Sequence, residues 1–93
     1  MQRKDIEEKV TDFLIEELEV ERELILAPAE DASVELLKTD ALLKDDLGID
    51  SLDFVDIVVI VEREFGFKPK PEEMADVRTL GHFIDYIESK VGA

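Results

Sequence analysis

The stretch GIDSLDFVDI, Gly48 to Ile57, sets one serine hydroxyl among three carboxylates: Asp50 precedes Ser51, and Asp53 and Asp56 follow it. A serine becomes a nucleophile when a neighbouring base takes its proton. The chain's one histidine, His82, falls near the start of the last predicted helix and is expected at a distance from Ser51. No Ser–His–Asp arrangement is therefore indicated. The acidic run from Asp45 to Asp56 invites a calcium ion, but an EF-hand loop with Gly48 as its central glycine would need oxygen ligands where Leu43 and Leu47 stand. Without cysteine there is no thiolate chemistry and no cysteine-bound metal, and the four glycines are too scattered to form a phosphate-cradling loop. Neither a catalytic centre nor a metal site is expected. What the stretch does offer is a hydroxyl at the mouth of a helix, where serine is a preferred cap.

The elements that must position this serine follow from apolar periodicity. Ile6, Val10, Phe13, Leu14 and Leu18 recur at helical spacing, predicting a first helix from Arg3 to about Leu18. A second runs from Ser51 to about Phe65 and stops at Gly66. Pro71 opens a short third helix reaching about Ala75, since proline suits the first helical position. Thr79 caps a last helix whose stripe is Leu80, Phe83, Ile84, Ile87 and Val91. Between Glu19 and Asp50, residues Pro28 to Asp31 read as a break. A short helix is expected around Ala32 to Lys38, because long structureless loops are uncommon in compact domains. No segment alternates long enough to be a sustained strand. The expected fold is all-α, a small four-helix bundle with a short third helix and an extended first connection, in one domain over residues 1–93.

Composition narrows the function. The 25 acidic and 11 basic residues leave a net charge of −14, which repels nucleic acid and anionic membranes and attracts proteins with basic patches. The N-terminal segment lacks the uninterrupted apolar run of a signal peptide or membrane span, so a soluble, cytoplasmic monomer is expected.

On a helical wheel of about 100° per residue, the second helix carries two apolar stripes. Phe54, Ile57, Val58, Val61 and Phe65 form the core face. Leu52, Val55 and Val59 form a second stripe near the direction of Ser51, flanked by Asp56, Glu62 and Arg63. A surface helix of so small a bundle cannot easily bury both. The second stripe is then either a binding surface or is covered by the leucine-rich 19–50 segment.

The segment DDLGIDSLDFVDIVVIVEREFGF resembles the region around the modification site of acyl carrier proteins, and EEMADVRTLGHFIDYIES resembles the short third helix and capped last helix of that family. The resemblance implies that Ser51 receives 4′-phosphopantetheine from coenzyme A, with Asp50 and Leu52 bordering the attachment. It implies that Asp50 and Asp53 help a phosphopantetheinyl transferase recognise the site. Leu52, Val55 and Val59 match apolar contact points for partner enzymes, and Asp56 and Glu62 match acidic positions that meet basic patches on acyl-loading and chain-elongating enzymes. Phe54 and Ile57 match the inner side where the family houses part of an acyl chain. The implied function is an acyl carrier for fatty acid or polyketide-type synthesis. A carrier of aminoacyl or peptidyl groups and an unmodified acidic helical adaptor are the alternatives. Three features depart from the family: Arg63 is basic where acid is usual, Phe54 is bulkier than the usual small polar residue, and the 19–50 connection is about a dozen residues longer.

Overall fold

A computed structural model describes residues 2–28, 30 and 35–91, with Glu35 and Ser51 described by backbone alone. The elements in chain order are α1 (Arg3–Glu16), α2 (Arg22–Ile25), β1 (Leu26–Pro28), β2 (Glu35–Leu37), α3 (Ser51–Phe65), α4 (Pro71–Met74) and α5 (Leu80–Val91). The helices follow the apolar stripes. Ile6, Val10, Phe13 and Leu14 of α1 are buried with Leu80, Phe83, Ile84 and Ile87 of α5, and the rings of Phe13 and Phe83 meet edge to face at 6.2 Å. Helix α3 adds Ile57, Ile60, Val61 and Phe65 to the same core. It ends at Gly66, whose φ of +80° is a left-handed conformation that favours glycine.

Helix α1 stops two residues earlier than its periodicity suggests, and Glu19 then takes a positive φ of 56° that turns the chain. Leu18 still packs against the core. The expected helices at 51–65, 71–75 and from Leu80 onward are present, and the Thr79 hydroxyl caps the last by accepting from the His82 amide at 3.1 Å.

The 19–50 connection corrects the all-α expectation. Residues 31–34, the first part of the helix expected at 32–38, lie outside the described residues. Glu35–Leu37 form a strand, paired antiparallel to β1 in the register Leu26↔Leu37, Ala27↔Leu36 and Pro28↔Glu35. In this strand Leu37 turns inward against the core while Leu36 on the opposite face is exposed. Pro28 sits at the end of a short two-stranded ribbon, a tolerated place for a residue with no amide donor. The four-residue helix α2, not expected from the sequence, buries Ile25. The described residues thus form five helices and a two-stranded sheet.

The remainder of the connection fixes the start of α3. Residues 39–43 run beside 78–81, through Gly81 N–H to Thr39 O, Leu80 N–H to Ala41 O and Leu43 N–H to Arg78 O, each 2.9 Å. Gly81 suits this approach, because a Cβ there would lie a tight 3.1 Å from the Thr39 Cβ and carbonyl oxygen. Two turns follow. They are closed by the Leu47 and Ile49 amides on the Leu42 and Leu43 carbonyls, and they bury Leu43, Leu47 and Ile49.

Candidate functional site

Asp50, not Ser51, is the N-cap of α3. Its backbone is extended, and its carboxylate accepts from the Leu52 amide at 2.9 Å and the Asp53 amide at 3.2 Å. Asp53 reciprocates by accepting from the Asp50 amide at 3.1 Å, which completes a capping box. This corrects the reading of Ser51 as a cap. Aspartate caps as well as serine does, and its charge also complements the positive end of the helix dipole. Ser51 is therefore the first helical residue, and its side chain lies outside the described part of the structure.

The cap also bears on anion binding. Two of the amides at the mouth of α3 already donate to Asp50, so a phosphate at Ser51 would rely on the helix dipole rather than on those two donors.

The second apolar stripe is on the surface: Leu52 is 78% exposed, Val55 66% and Val59 60%. The described part of the leucine-rich connection does not cover it. Asp56, Glu62 and Arg63 are exposed beside it. Arg63 is tied within the chain, through a 2.5 Å ion pair with Glu17, the residue that follows α1, and a 3.3 Å contact with Glu64. The hydrogen bond to Glu17, more than any other contact, holds its guanidinium even more firmly protonated than usual.

On the other side of α3 the expected acyl-facing pair separates. Ile57 is in the core and lines neither of the grooves beside α4, whereas Phe54 is half-buried and lines both. One groove, of about 560 Å³, lies between Leu42–Asp50, α3 and the 74–78 segment. The other, of about 340 Å³, is walled by Phe54, Val55, Val58, Pro71, Met74 and Ala75. The part played by α4 was not anticipated. Its signal in the sequence was Met74 at the end of a proline-led turn, which carries little information alone. His82 is exposed, and no group of acidic and histidine side chains suited to a metal ion occurs among the described residues.

A family model described as "Phosphopantetheine attachment site" matches residues 8–87. Similar curated proteins include the acyl carrier protein of Thermotoga maritima, 47% identical over 53 residues that make up 57% of this chain and 65% of that protein. The acyl carrier protein of Buchnera aphidicola subsp. Acyrthosiphon pisum is 33% identical over 87 residues, 94% of each chain. No helix among the described residues is long and apolar enough to cross a membrane. A match of this length, on a fold that opens its central helix with a serine and leaves an apolar strip beside it, identifies the chain as a member of the acyl carrier protein family, the carriers of a phosphopantetheine arm.

Proposed function

We propose that Ser51 is the attachment point of 4′-phosphopantetheine and that the chain presents acyl groups to enzymes of fatty acid or polyketide-type synthesis. The observation that carries this reading is the pairing of a serine relieved of capping by Asp50 with the exposed strip Leu52, Val55 and Val59 on the same helix. The surroundings suit the group. The exposed Leu52 marks the start of α3 as open to a partner enzyme, the helix dipole favours a phosphodiester there, and apolar grooves lie one turn away beside Phe54.

When attached, the arm supplies a terminal thiol for thioester linkage, a nucleophile this cysteine-free chain lacks. The chain's own residues do the rest. The Ser51 oxygen takes the phosphoryl group as the diphosphate bond of coenzyme A breaks, the nucleotide half leaves, and the serine proton passes to the transferase. Asp50 and Asp53, locked to each other's backbone amides, present a fixed pair of carboxylates beside that serine. Leu52, Val55 and Val59 give a partner apolar contact, and Asp56 and Glu62 give it charge to meet with lysines or arginines. Arg63, paired with Glu17, replaces negative charge at the far end of this surface and so alters which partners fit. The chain acts as a carrier, and the catalysis belongs to its partners.

Incubation with coenzyme A and a broad-specificity phosphopantetheinyl transferase, followed by intact mass measurement, tests the attachment. The wild-type protein gains one phosphopantetheine, and Ser51→Ala gains none while keeping its helical content. A wild-type chain that stays unmodified beside a control carrier that reacts would leave the acidic adaptor as the better reading.

A further inference from the structure

Between α1 and the β1–β2 hairpin lies an open groove of about 740 Å³, larger than either groove beside α4. One wall is α1, through Glu8, Thr11 and Asp12, and the other is the hairpin, through Leu26, Leu36 and Leu37. The groove has no residue in common with the grooves beside α4 or with the strip Leu52, Val55 and Val59. We propose that it docks a basic amphipathic helix of a partner protein, at a face separate from the one beside Ser51. The inference stands apart from attachment at Ser51.

The two walls differ in character. A two-stranded ribbon is marginal alone, and this one is held by Leu26 and Leu37, which pack against the core. Leu36 takes no part in that packing and stays 57% exposed, on a short strand with an open edge that natural sheets usually protect with charge. With the half-buried Leu26 and Leu37 it gives the groove an apolar side. The α1 side is charged. Glu7, Glu8 and Asp12 outnumber Lys4 and Arg22 in the lining. Glu7 pairs with Arg3 at 3.8 Å, whereas Glu8 and Asp12, one turn apart, are exposed and make no ion pair among the described residues.

Charge selects the occupant. A second copy of the chain carries the same net charge of −14 and is repelled, while a basic segment is attracted. From Lys4 to Asp12 the wall runs about 12 Å, enough for roughly two turns of a helix laid alongside α1. Such a helix sets apolar side chains on Leu26, Leu36 and Leu37, and lysines or arginines on Glu8 and Asp12, so one amphipathic element satisfies both walls. A protein seated there leaves Leu52, Val55 and Val59 open. The carrier is then held at one face while it presents Ser51 at another.

The test titrates the full, unmodified, isotope-labelled chain with a synthetic helical peptide that carries leucine on one face and lysine on the other. Amide shifts change most at Glu8, Thr11, Leu26 and Leu36. Leu36→Asp weakens binding roughly tenfold, as loss of one buried leucine gives. Glu8→Lys combined with Asp12→Lys weakens it severalfold at low salt and little at high salt. Leu36→Thr, which suits a strand, also weakens binding and covers the case in which the aspartate variant loses the hairpin. Absence of binding, shifts confined to Leu52, Val55 and Val59, unchanged affinity in the Leu36 variants, or equal binding of a peptide with glutamate in place of lysine overturns the proposal. A concentration-dependent dimer that covers Leu36 gives the groove to a second copy and overturns it as well. Ser51 is unmodified throughout, so a chain that never accepts the arm still passes or fails this test on its own terms.

Discussion

At the scale of single residues, the division of labour between Asp50 and Ser51 is the informative feature. Asp50 holds two helix amides and Ser51 follows it as the first helical residue. Asp50→Ala should therefore destabilise the unmodified protein by about 0.5–2 kcal/mol. Ser51→Ala should stay within about 0.5 kcal/mol of the wild type. Urea denaturation of both variants checks this, and a larger loss for the serine variant would return the cap to Ser51. The sequence could not separate the two because aspartate and serine are both favoured caps, and the choice turns on a one-residue shift of the helix start. The exposed strip, by contrast, was legible. Leu52, Val55 and Val59 diverge from the core stripe by geometry alone, and burial of Ile57 and Val61 on the opposite side confirms the wheel. That Ile57 would line neither of the two grooves beside α4 was not legible, since a wheel gives direction but no depth.

Among the elements, α4 depends on its neighbour. Four residues make an isolated helix unstable, and a polar cluster fastens this one to α5. The Tyr86 hydroxyl donates to the Glu73 carboxylate at 3.0 Å and accepts from the Lys70 amide at 3.2 Å, while the Lys90 ammonium pairs with Glu73 at 3.1 Å. Lys90, and after it Tyr86, hold the Glu73 carboxyl below its ordinary value of 4.5. A carboxyl lowered in the folded state contributes stability above its unfolded value, and that contribution is lost as pH falls through the folded value. The thermal midpoint of Glu73→Gln should thus lie below that of the wild type at neutral pH, and the gap should close as pH falls below the ordinary carboxylate value. A gap that stays constant with pH would show that the carboxylate charge plays no part in fastening α4. The long helices were readable because each repeats its apolar period over several turns. The hairpin was not, because three-residue strands contain one alternation each, and their pairing is fixed by contacts across the chain such as the Lys38 amide on the Ile25 carbonyl.

For the molecule as a whole, charge dominates. A net charge of −14 gives long-range attraction to any partner with a basic face, and salt weakens it. The rate constant kcat/KM for modification by a phosphopantetheinyl transferase should fall roughly tenfold from low to high salt. Asp56→Lys or Glu62→Lys should lower it at low salt and flatten its salt dependence. Rates that ignore both salt and charge reversal would mean that the apolar strip alone directs docking. The acidity was plain from composition, whereas the neutralising pair of Arg63 with Glu17 depends on α1 and α3 ending side by side.

The edge-to-face contact of Phe13 with Phe83 has a consequence for biosynthesis. Helix α1 leaves the ribosome well before α5, the helix it packs against. Chain growth at about 5–20 residues per second leaves the apolar stripe of α1 without that cover until α5 has emerged. The abundant acidic side chains around that stripe are then what keeps the waiting nascent chain apart from its neighbours.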